Sequence, residues 1–271
     1  MNFSKQEITA AVRYALEAEL ETTPKPGLID KRNNGSHTDM DYIMMTESIS
    51  ETVRGVWRFL EEVDAWRKED GKDIRKLSSA LKRSGQATEA LMRGRFGVNT
   101  HNGALFSSGL ISVSAYMTGS RRTCDIGVYI KEVAECYERA DNTKGAAAVK
   151  EYGVKGALDN ARDGYREVFE KYLPYYRKNR QELNENDARV KLLLYIIRSL
   201  GDTNLYVRGG KEGAEWAAAR ADEVLTETER KGYSRSMVEE LDDEFIKRRL
   251  SPGGSADMLA LTVLCDKLSL E

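Results

Sequence analysis

Residues 97–117, GVNTHNGALFSSGLISVSAYM, join a polar turn to an apolar segment of helical length. From Ala104 to Met117 the segment is apolar, but serines and Gly109 interrupt it. A helix that is apolar on all sides belongs in the interior of a protein, and small residues let neighbouring helices approach it closely. The stretch therefore predicts a central, buried helix around which the other helices pack.

The polar turn before this helix places four hydrogen-bonding side chains side by side between two glycines. They are Asn99, Thr100, His101 and Asn102. Glycines on either side allow a ligand to approach the backbone, which favours a binding site. The alternative is a polar loop that caps the next helix, with Thr100 or Asn99 as the capping residue.

Outside this stretch, apolar residues recur at helical spacing along most of the chain. Helices are predicted near residues 4–21, 39–66, 74–93, 104–117, 125–139, 187–200, 210–230, 235–249 and 255–268. No alternating strand pattern, hairpin dipeptide or fixed-period repeat is found. We therefore predict an all-α fold, a single-domain multi-helix bundle over residues 1–271 with roughly nine or ten helices.

The amino-acid composition indicates which kinds of binding partner and which cellular compartment to expect. The 42 basic residues nearly balance the 44 acidic ones, so we expect no nucleic-acid partner and no attraction to lipid headgroups. Three widely spaced cysteines form no disulfide framework, which favours a reducing cytoplasm. The longest apolar run, residues 192–197, is too short to span a bilayer, and the first residues lack a signal-peptide layout. We expect a cytoplasmic protein without a membrane partner.

Common catalytic and phosphate-binding motifs are absent from the sequence. There is no GxxxxGK[ST], GxGxxG, HExxH or GxSxG pattern. Four polar clusters remain, and each falls at a predicted helix boundary: residues 30–41, 97–106, 201–210 and 251–257. Helix N-termini offer free N–H groups to anions, so we predict one polyphosphate-binding cleft at helix N-termini and connecting loops.

The cluster at residues 30–41, DKRNNGSHTDMD, contains the second histidine, His37. Asp39 and Asp41 are two positions apart, so they would point to different sides of a helix. The alternative role for Asp39 is to cap the second helix and interact favourably with its dipole. For His37 the polar surroundings favour a role in the site.

The last two clusters offer metal and phosphate ligands. Asp202 and Asn204 are oxygen donors of the kind that Mg²⁺ takes together with substrate phosphates. Arg208, before two glycines, can present its guanidinium to a phosphate. The glycines of residues 251–257, SPGGSAD, open onto a helix N-terminus. The alternatives are ordinary helix boundaries, with Asp202 or Asn204 capping one helix and Ser255 the next.

These motifs together resemble a known family. PKPGLIDKRNNGSHTDMD, GVNTHNGALFSSG, GDTNLYVRGG and SPGGSADMLALT resemble, in the same order, the signatures of the triphosphoribosyl-dephospho-CoA synthases. Those enzymes make the prosthetic-group precursor of citrate lyase and malonate decarboxylase. The resemblance covers nearly the full chain. It implies that ATP loses adenine and that its triphosphoribosyl group moves to the 2′-hydroxyl of 3′-dephospho-CoA.

The implied reaction builds positive charge at ribose C1, so it needs nearby carboxylates, an acid for adenine and a base for the hydroxyl. The catalytic residues that match the family motifs are Asp39, Asp41, His37 and His101. Either aspartate could be the base, and either histidine the acid or a donor to phosphate. The predicted substrate- and phosphate-binding residues are Lys25, Asn33, Asn99, Thr100, Asn102, Asn204, Arg208, Ser251, Gly253, Gly254 and Ser255. Mg²⁺ bound with ATP is expected at Asp39, Asp41, Asp202 and Asp257.

The chain departs from the family pattern at two positions. Asn102 stands where the family has a lysine, and Lys155 stands where it has an arginine. Two alternatives therefore remain beside the transferase. One is a Mg²⁺-dependent hydrolase of a nucleotide or ADP-ribose-type N-glycoside, and the other is a non-catalytic nucleotide- or CoA-binding paralogue. A homodimer is a further expectation.

Overall fold

The protein is built from helices. The computed structural model describes residues 3–139 and 143–271, except the side chain of Asn102, and these residues contain twelve α-helices and no strand. The helices are α1 Lys5–Glu21, α2 Tyr42–Arg67, α3 Ile74–Phe96, α4 Asn102–Thr118, α5 Thr123–Glu135, α6 Lys144–Tyr152, α7 Ala157–Arg162, α8 Leu173–Asn179, α9 Glu185–Ser199, α10 Thr203–Lys231, α11 Arg235–Lys247 and α12 Gly253–Lys267. A π-helical turn, Val168–Tyr172, leads into α8. The all-α prediction is confirmed.

The helix α4 lies at the centre of the bundle, where it packs against α1, α2, α5 and α12. Gly109 lets the Phe59 ring of α2 lie directly against the α4 backbone, because a Cβ at this position would overlap the ring. Gly55 of α2 lies close to Leu105 of α4, whose Cδ1 would be 2.8 Å from an added Cβ. The prediction of a central, closely packed helix is confirmed, and glycines on both partners explain it.

The helix count is higher than predicted because the glycine-punctuated middle of the chain forms short helices. Residues 143–183 contain α6, α7, the π-helical turn and α8, none longer than nine residues. Apolar periodicity is hard to detect in so few residues. The last helices begin and end close to their predicted positions.

The helix α10 begins seven residues earlier than predicted. Gly210 bends α10 instead of starting it, with φ 61° and ψ −165°, a conformation that is open almost only to glycine. Gly209 is needed for a different reason, because a Cβ there would lie 2.6 Å from Cδ2 of Leu250. The bend places residues 203–209 as a short helical segment at the end of the bundle.

The long loop between α1 and α2 is held in shape by Asp30. One carboxylate oxygen accepts hydrogen bonds from the Thr23 hydroxyl, at 2.8 Å, and the Lys25 N–H, at 2.9 Å. The other oxygen accepts from the N–H groups of Arg32, at 2.7 Å, and Asn33, at 3.2 Å. The loop therefore folds around its own carboxylate.

A second buried carboxylate, Asp242 of α11, fixes this loop to the rest of the protein. Its Oδ1 accepts from the Gly27 N–H at 2.9 Å. Its Oδ2 accepts from Arg32 Nη1 at 2.5 Å and from Asn33 Nδ2 at 2.8 Å. Asn33, predicted to bind substrate, therefore serves the loop instead.

Among the described residues, none of the helices combines the length and the apolar character that a membrane span requires.

Replacing Asp242 should destabilise the protein far more than replacing its neighbour. The Asp242 side chain is 1% exposed, and Asp242→Ala leaves buried donors unpaired, so we expect a loss of about 3 kcal/mol in the free energy of unfolding. Asp243 pairs with the same arginine but is 65% exposed, so Asp243→Ala should cost less than about 1 kcal/mol. Urea unfolding of both variants measures the difference, and equal losses would contradict the assignment.

Candidate active site

A cleft of about 220 Å³ opens where α1, the loop 22–41, the turn before α4, and the starts of α10 and α12 meet. Ten of the predicted site residues line it: Lys25, His37, Asn99, Thr100, His101, Asn204, Arg208, Ser251, Gly253 and Asp257. All four polar clusters of the sequence contribute to this cleft. It lies at helix N-termini and connecting loops, and is referred to below as the cleft.

The two aspartates before α2 are placed differently from each other. Asp41 is the N-cap of α2 and accepts a hydrogen bond from the Met44 N–H at 2.8 Å. The capping role that the sequence offered to Asp39 therefore belongs to Asp41. Asp39 does not line the cleft: its side chain is 57% exposed, and its Oδ1 is 3.6 Å from Nδ1 of His37, which does line it.

Asp202 lies beneath the cleft and joins two helices. Its Oδ1 caps α10 by accepting from the Asn204 N–H at 2.9 Å. Its Oδ2 accepts from the N–H of Ser255 at 2.7 Å and from the Ser255 hydroxyl at 2.9 Å. Burial raises the pKa of Asp202, and these hydrogen bonds oppose the shift. Ser255 does not cap α12, because the helix begins at Gly253 with Pro252 at the N-cap position and Ser255 lies inside its first turn.

Gly254 fits the same junction. A Cβ at Gly254 would lie 2.9 Å from Oδ1 of Asp202, so the backbone of α12 approaches the carboxylate closely only because this residue is glycine. Neither Gly254 nor Ser255 lines the cleft. Both position the start of α12 instead of contacting the space where a ligand would lie.

Asp257 faces the cleft from the first turns of α12, against Gly103 of α4. A Cβ at Gly103 would overlap Oδ2 of Asp257, so the contact requires glycine. Removal from bulk water raises the pKa of Asp257 well above its usual value, and the nearby carboxylates of Asp202 and Glu19 act in the same direction. The Ala104 N–H opposes the shift. The cleft therefore contains a carboxyl group that holds its proton more tightly than usual.

Lys25 is buried and forms an ion pair with Glu19. Its Nζ is 2.5 Å from Oε1 of Glu19 and 3.0 Å from the Glu19 main-chain oxygen. Sequence reasoning missed Glu19, although a signal was present. An acidic residue three positions after Leu16 and next to Leu20 lies on the buried face of α1.

Arg208 and His37 form a second group at the cleft. Arg208 donates through Nη1 to the Ser36 carbonyl oxygen at 3.1 Å and through Nη2 to Nδ1 of His37 at 3.4 Å. His37 Nε2 lies 2.9 Å from the hydroxyl of Ser251, to which it can donate. Burial and the charge of Arg208 lower the pKa of His37, while Asp39 opposes them. Within the described residues no carboxylate forms an ion pair with Arg208, which leaves this cation available to an anion.

His101 occupies the N-cap position of α4 but makes no capping hydrogen bond. Its ring is buried, and Nδ1 lies 2.9 Å from the hydroxyl of Ser48 in α2. Burial and the charge of Lys25 lower the pKa of His101 to about 4. The imidazole is therefore neutral at physiological pH.

The predicted capping residues Asn99 and Thr100 do not cap α4. Among the described atoms, the Asn99 amide, the Thr100 hydroxyl and Nε2 of His101 are buried without a hydrogen-bond partner. Buried polar groups are nearly always satisfied, so such a concentration in one cleft indicates a place for a polar ligand. The side chain of Asn102, predicted to bind substrate, lies outside the described part of the structure.

The four aspartates expected to bind Mg²⁺ do not converge on one point. In the part of the chain that the structure describes, no group of three or more His, Cys, Asp or Glu side chains could hold a metal ion. Asp41 and Asp202 use their carboxylates for helix caps, and the other two aspartates remain for a ligand. The donor set therefore fits a cation carried in by a phosphorylated substrate, which needs only one or two protein carboxylates.

Arg208, which has no ion-pair partner among the described residues, the first residue of α12 and several unpartnered polar atoms lie at the cleft. They define an all-helical protein with a binding site for a phosphorylated polar ligand. Comparison with known proteins identifies the family. The chain belongs to the CitG family, described as ATP:dephospho-CoA triphosphoribosyl transferase, which matches residues 5–271.

Individual relatives resemble the chain over most of their length. A protein of Stutzerimonas stutzeri, named as a probable 2-(5''-triphosphoribosyl)-3'-dephosphocoenzyme-A synthase, is 34% identical over 266 residues, which cover 94% of this chain and 89% of the relative. A Klebsiella pneumoniae protein named as the same synthase is 32% identical over 282 residues, covering 96% and 90%. No solved structure matches the chain significantly.

Adding a methyl group at Gly103 should disrupt the floor of the cleft. Gly103→Ala forces Asp257 or the α4 backbone to move, so we expect a loss of about 2 kcal/mol in the free energy of unfolding. Gly94→Ala is the matched control, because an added Cβ there has no neighbour within 4 Å, and α3 should gain about 0.5–1 kcal/mol. Thermal unfolding of both variants tests this, and a stabilised Gly103→Ala would show that the close contact does not exist.

Proposed function

We propose that this protein transfers the triphosphoribosyl group of ATP to the 2′-hydroxyl of 3′-dephospho-CoA and releases adenine, for prosthetic-group biosynthesis. The observation that carries the proposal is family membership over residues 5–271, together with relatives named for this product. The geometry supports it, because all the motif clusters of the family line a single cleft. That cleft presents groups suited to phosphates and to a polar ligand.

The triphosphate would lie against Arg208, beside Gly253 at the start of α12. Arg208 is an exposed cation at the cleft, and its guanidinium can contact two phosphate oxygens at once. Gly253 begins α12 and lines the cleft, while the N–H groups of the next two residues, Gly254 and Ser255, already donate to Asp202. Lys25 adds positive charge from below, although Glu19 already neutralises much of it. Phosphate binding would therefore depend mainly on Arg208.

Mg²⁺ would enter with the triphosphate. Asp257 inside the cleft and Asp39, beside His37, are the carboxylates that could contact it, and phosphate oxygens of ATP would supply further ligands. When bound, the ion neutralises charge on the phosphates. The residues of the chain would hold the ribose and the acceptor hydroxyl close together, which lowers the entropic cost of the transfer.

The proposed activity is tested by incubating the protein with ATP, Mg²⁺ and 3′-dephospho-CoA. Chromatography should detect adenine, and mass spectrometry should detect the triphosphoribosyl adduct, only when the acceptor is present. Both Asp202→Ala and His101→Ala should reduce adenine release by about 100-fold or more, since they remove a support and a contact of the cleft. Near-normal release from both folded variants would overturn the site assignment.

The same incubation separates the alternatives. Adenine released at the full rate without 3′-dephospho-CoA would indicate an N-glycoside hydrolase that uses water. Tight binding of ATP without adenine release would indicate a non-catalytic paralogue. Either result would overturn the proposed transfer. The homodimer stays a prediction, which light scattering can check.

Arg208 should matter for ATP binding more than any neighbouring cation. Loss of a charge-assisted contact costs about 1.5–3 kcal/mol, so Arg208→Ala should raise KM for ATP by about 10- to 100-fold. Lys211→Ala, a turn further along α10, removes a charge that is 70% exposed and pairs only with Glu215 among the described residues. That control should leave KM within about twofold of the wild type. Equal effects from both variants would mean that general charge, not a specific contact, attracts ATP.

A further inference from the structure

The contacts of Ser48 determine which nitrogen of His101 carries the proton. Ser48 is fully buried in α2, and its Oγ lies 2.9 Å from the Met45 carbonyl oxygen and 2.9 Å from Nδ1 of His101. A hydroxyl has one hydrogen to donate, and a carbonyl oxygen can only accept. The hydroxyl is placed to donate to Met45, an arrangement in which the Ser48 oxygen accepts from Nδ1–H of His101.

A neutral imidazole with its hydrogen on Nδ1 has a lone pair on Nε2. Nε2 of His101 is buried, has no partner among the described atoms, and belongs to a ring that lines the cleft. The ring is neutral because burial and the nearby Lys25 lower the pKa of His101. Nε2 of His101 is therefore a hydrogen-bond acceptor that can accept from a donor group of the ligand.

We infer that Ser48 is a positioning residue that fixes His101 as a hydrogen-bond acceptor, and that His101 takes the proton of the acceptor hydroxyl during transfer. This inference rests on the proposed transferase function. It refines the sequence-based expectation that His101 is an acid or a donor to phosphate, because Nε2 begins as an acceptor and has a hydrogen to donate only after it has taken the hydroxyl proton.

The transfer step balances with these groups. The bond between ribose C1 and adenine N9 breaks, and its electron pair leaves with adenine. The 2′-hydroxyl oxygen of the acceptor forms the new bond to C1, and its proton moves to Nε2 of His101. That proton then passes to the departing adenine, directly or through water, and the imidazole becomes neutral again. A weak base such as His101 suffices for this proton transfer, because the hydroxyl becomes acidic only as its oxygen bonds to the electron-poor carbon C1.

The tautomer can be measured without any substrate. The chain has only two histidines, so ¹⁵N-histidine labelling gives two ring systems, and His37→Gln assigns the remaining one to His101. Nitrogen–proton correlation spectra at neutral pH should show a protonated Nδ1 and an unprotonated Nε2 for His101. A ring protonated at Nε2, or at both nitrogens, would overturn the inference. This result is independent of whether the protein releases adenine, so the two failures are distinguishable.

Removing the Ser48 hydroxyl should alter both the spectrum and the turnover. We expect Ser48→Ala to give a mixture of His101 tautomers and to lower kcat by about 10-fold or more, with KM for ATP nearly unchanged because Ser48 does not line the cleft. Ser78→Ala is the matched control. Ser78 is a buried serine of α3 whose hydroxyl donates only to the Val133 carbonyl oxygen, so its loss should change neither measurement.

Wild-type kcat with an unchanged tautomer in Ser48→Ala would overturn the positioning role. An equal loss of kcat in both serine variants would also overturn it, because it would reflect a general loss of packing. If Ser48→Ala does not fold, the wild-type spectrum alone still decides, since it measures the proton on Nδ1 directly.

Discussion

The cleft depends on a buried carboxylate that does not line it. Asp202 caps α10 with one oxygen and holds the N-terminus of α12 with the other, through the N–H and hydroxyl of Ser255. Two helix N-termini are thereby fixed side by side, because Asp202 accepts hydrogen bonds from the N–H groups of both. Asp30 and Asp242 act in the same way on the loop that bears Lys25 and His37. Hydrogen bonds to buried carboxylates thus hold the loops and helix ends of the site in place.

The charges in the cleft are arranged at different depths. The ion pair of Lys25 and Glu19 is buried, while Arg208 is exposed near the mouth. A polyanion entering the cleft would therefore meet an available guanidinium first and a neutral ring at His101 further in. This order suits a substrate whose phosphates bind at the outer end and whose sugar reaches inward, because a neutral imidazole accepts a hydroxyl proton that an imidazolium could not.

The parts of the protein that the sequence predicts well are those governed by local periodicity. The helices α1, α9 and α11 follow their apolar positions closely, and the buried α4 is indicated by its glycine and serines. The polar clusters predict which loops form the cleft. The sequence does not predict whether a polar residue faces a ligand or another part of the chain. Asp202 and Asn33 were expected to bind ligands, yet tertiary contacts from residues 53 and 209 positions away occupy them.

Two adjacent glycines at the bend of α10, Gly209 and Gly210, resist substitution for different physical reasons. Gly209 lacks space because Leu250 packs on its Cα, while Gly210 adopts torsion angles that side chains oppose. A smaller residue at Leu250 could make alanine acceptable at the first position. No change in a neighbouring side chain would make it acceptable at the second. A substitution at Gly209 can therefore be compensated by a second substitution at Leu250, whereas a substitution at Gly210 cannot be compensated in this way. Related sequences should accordingly vary at 209 together with 250 and vary almost never at 210.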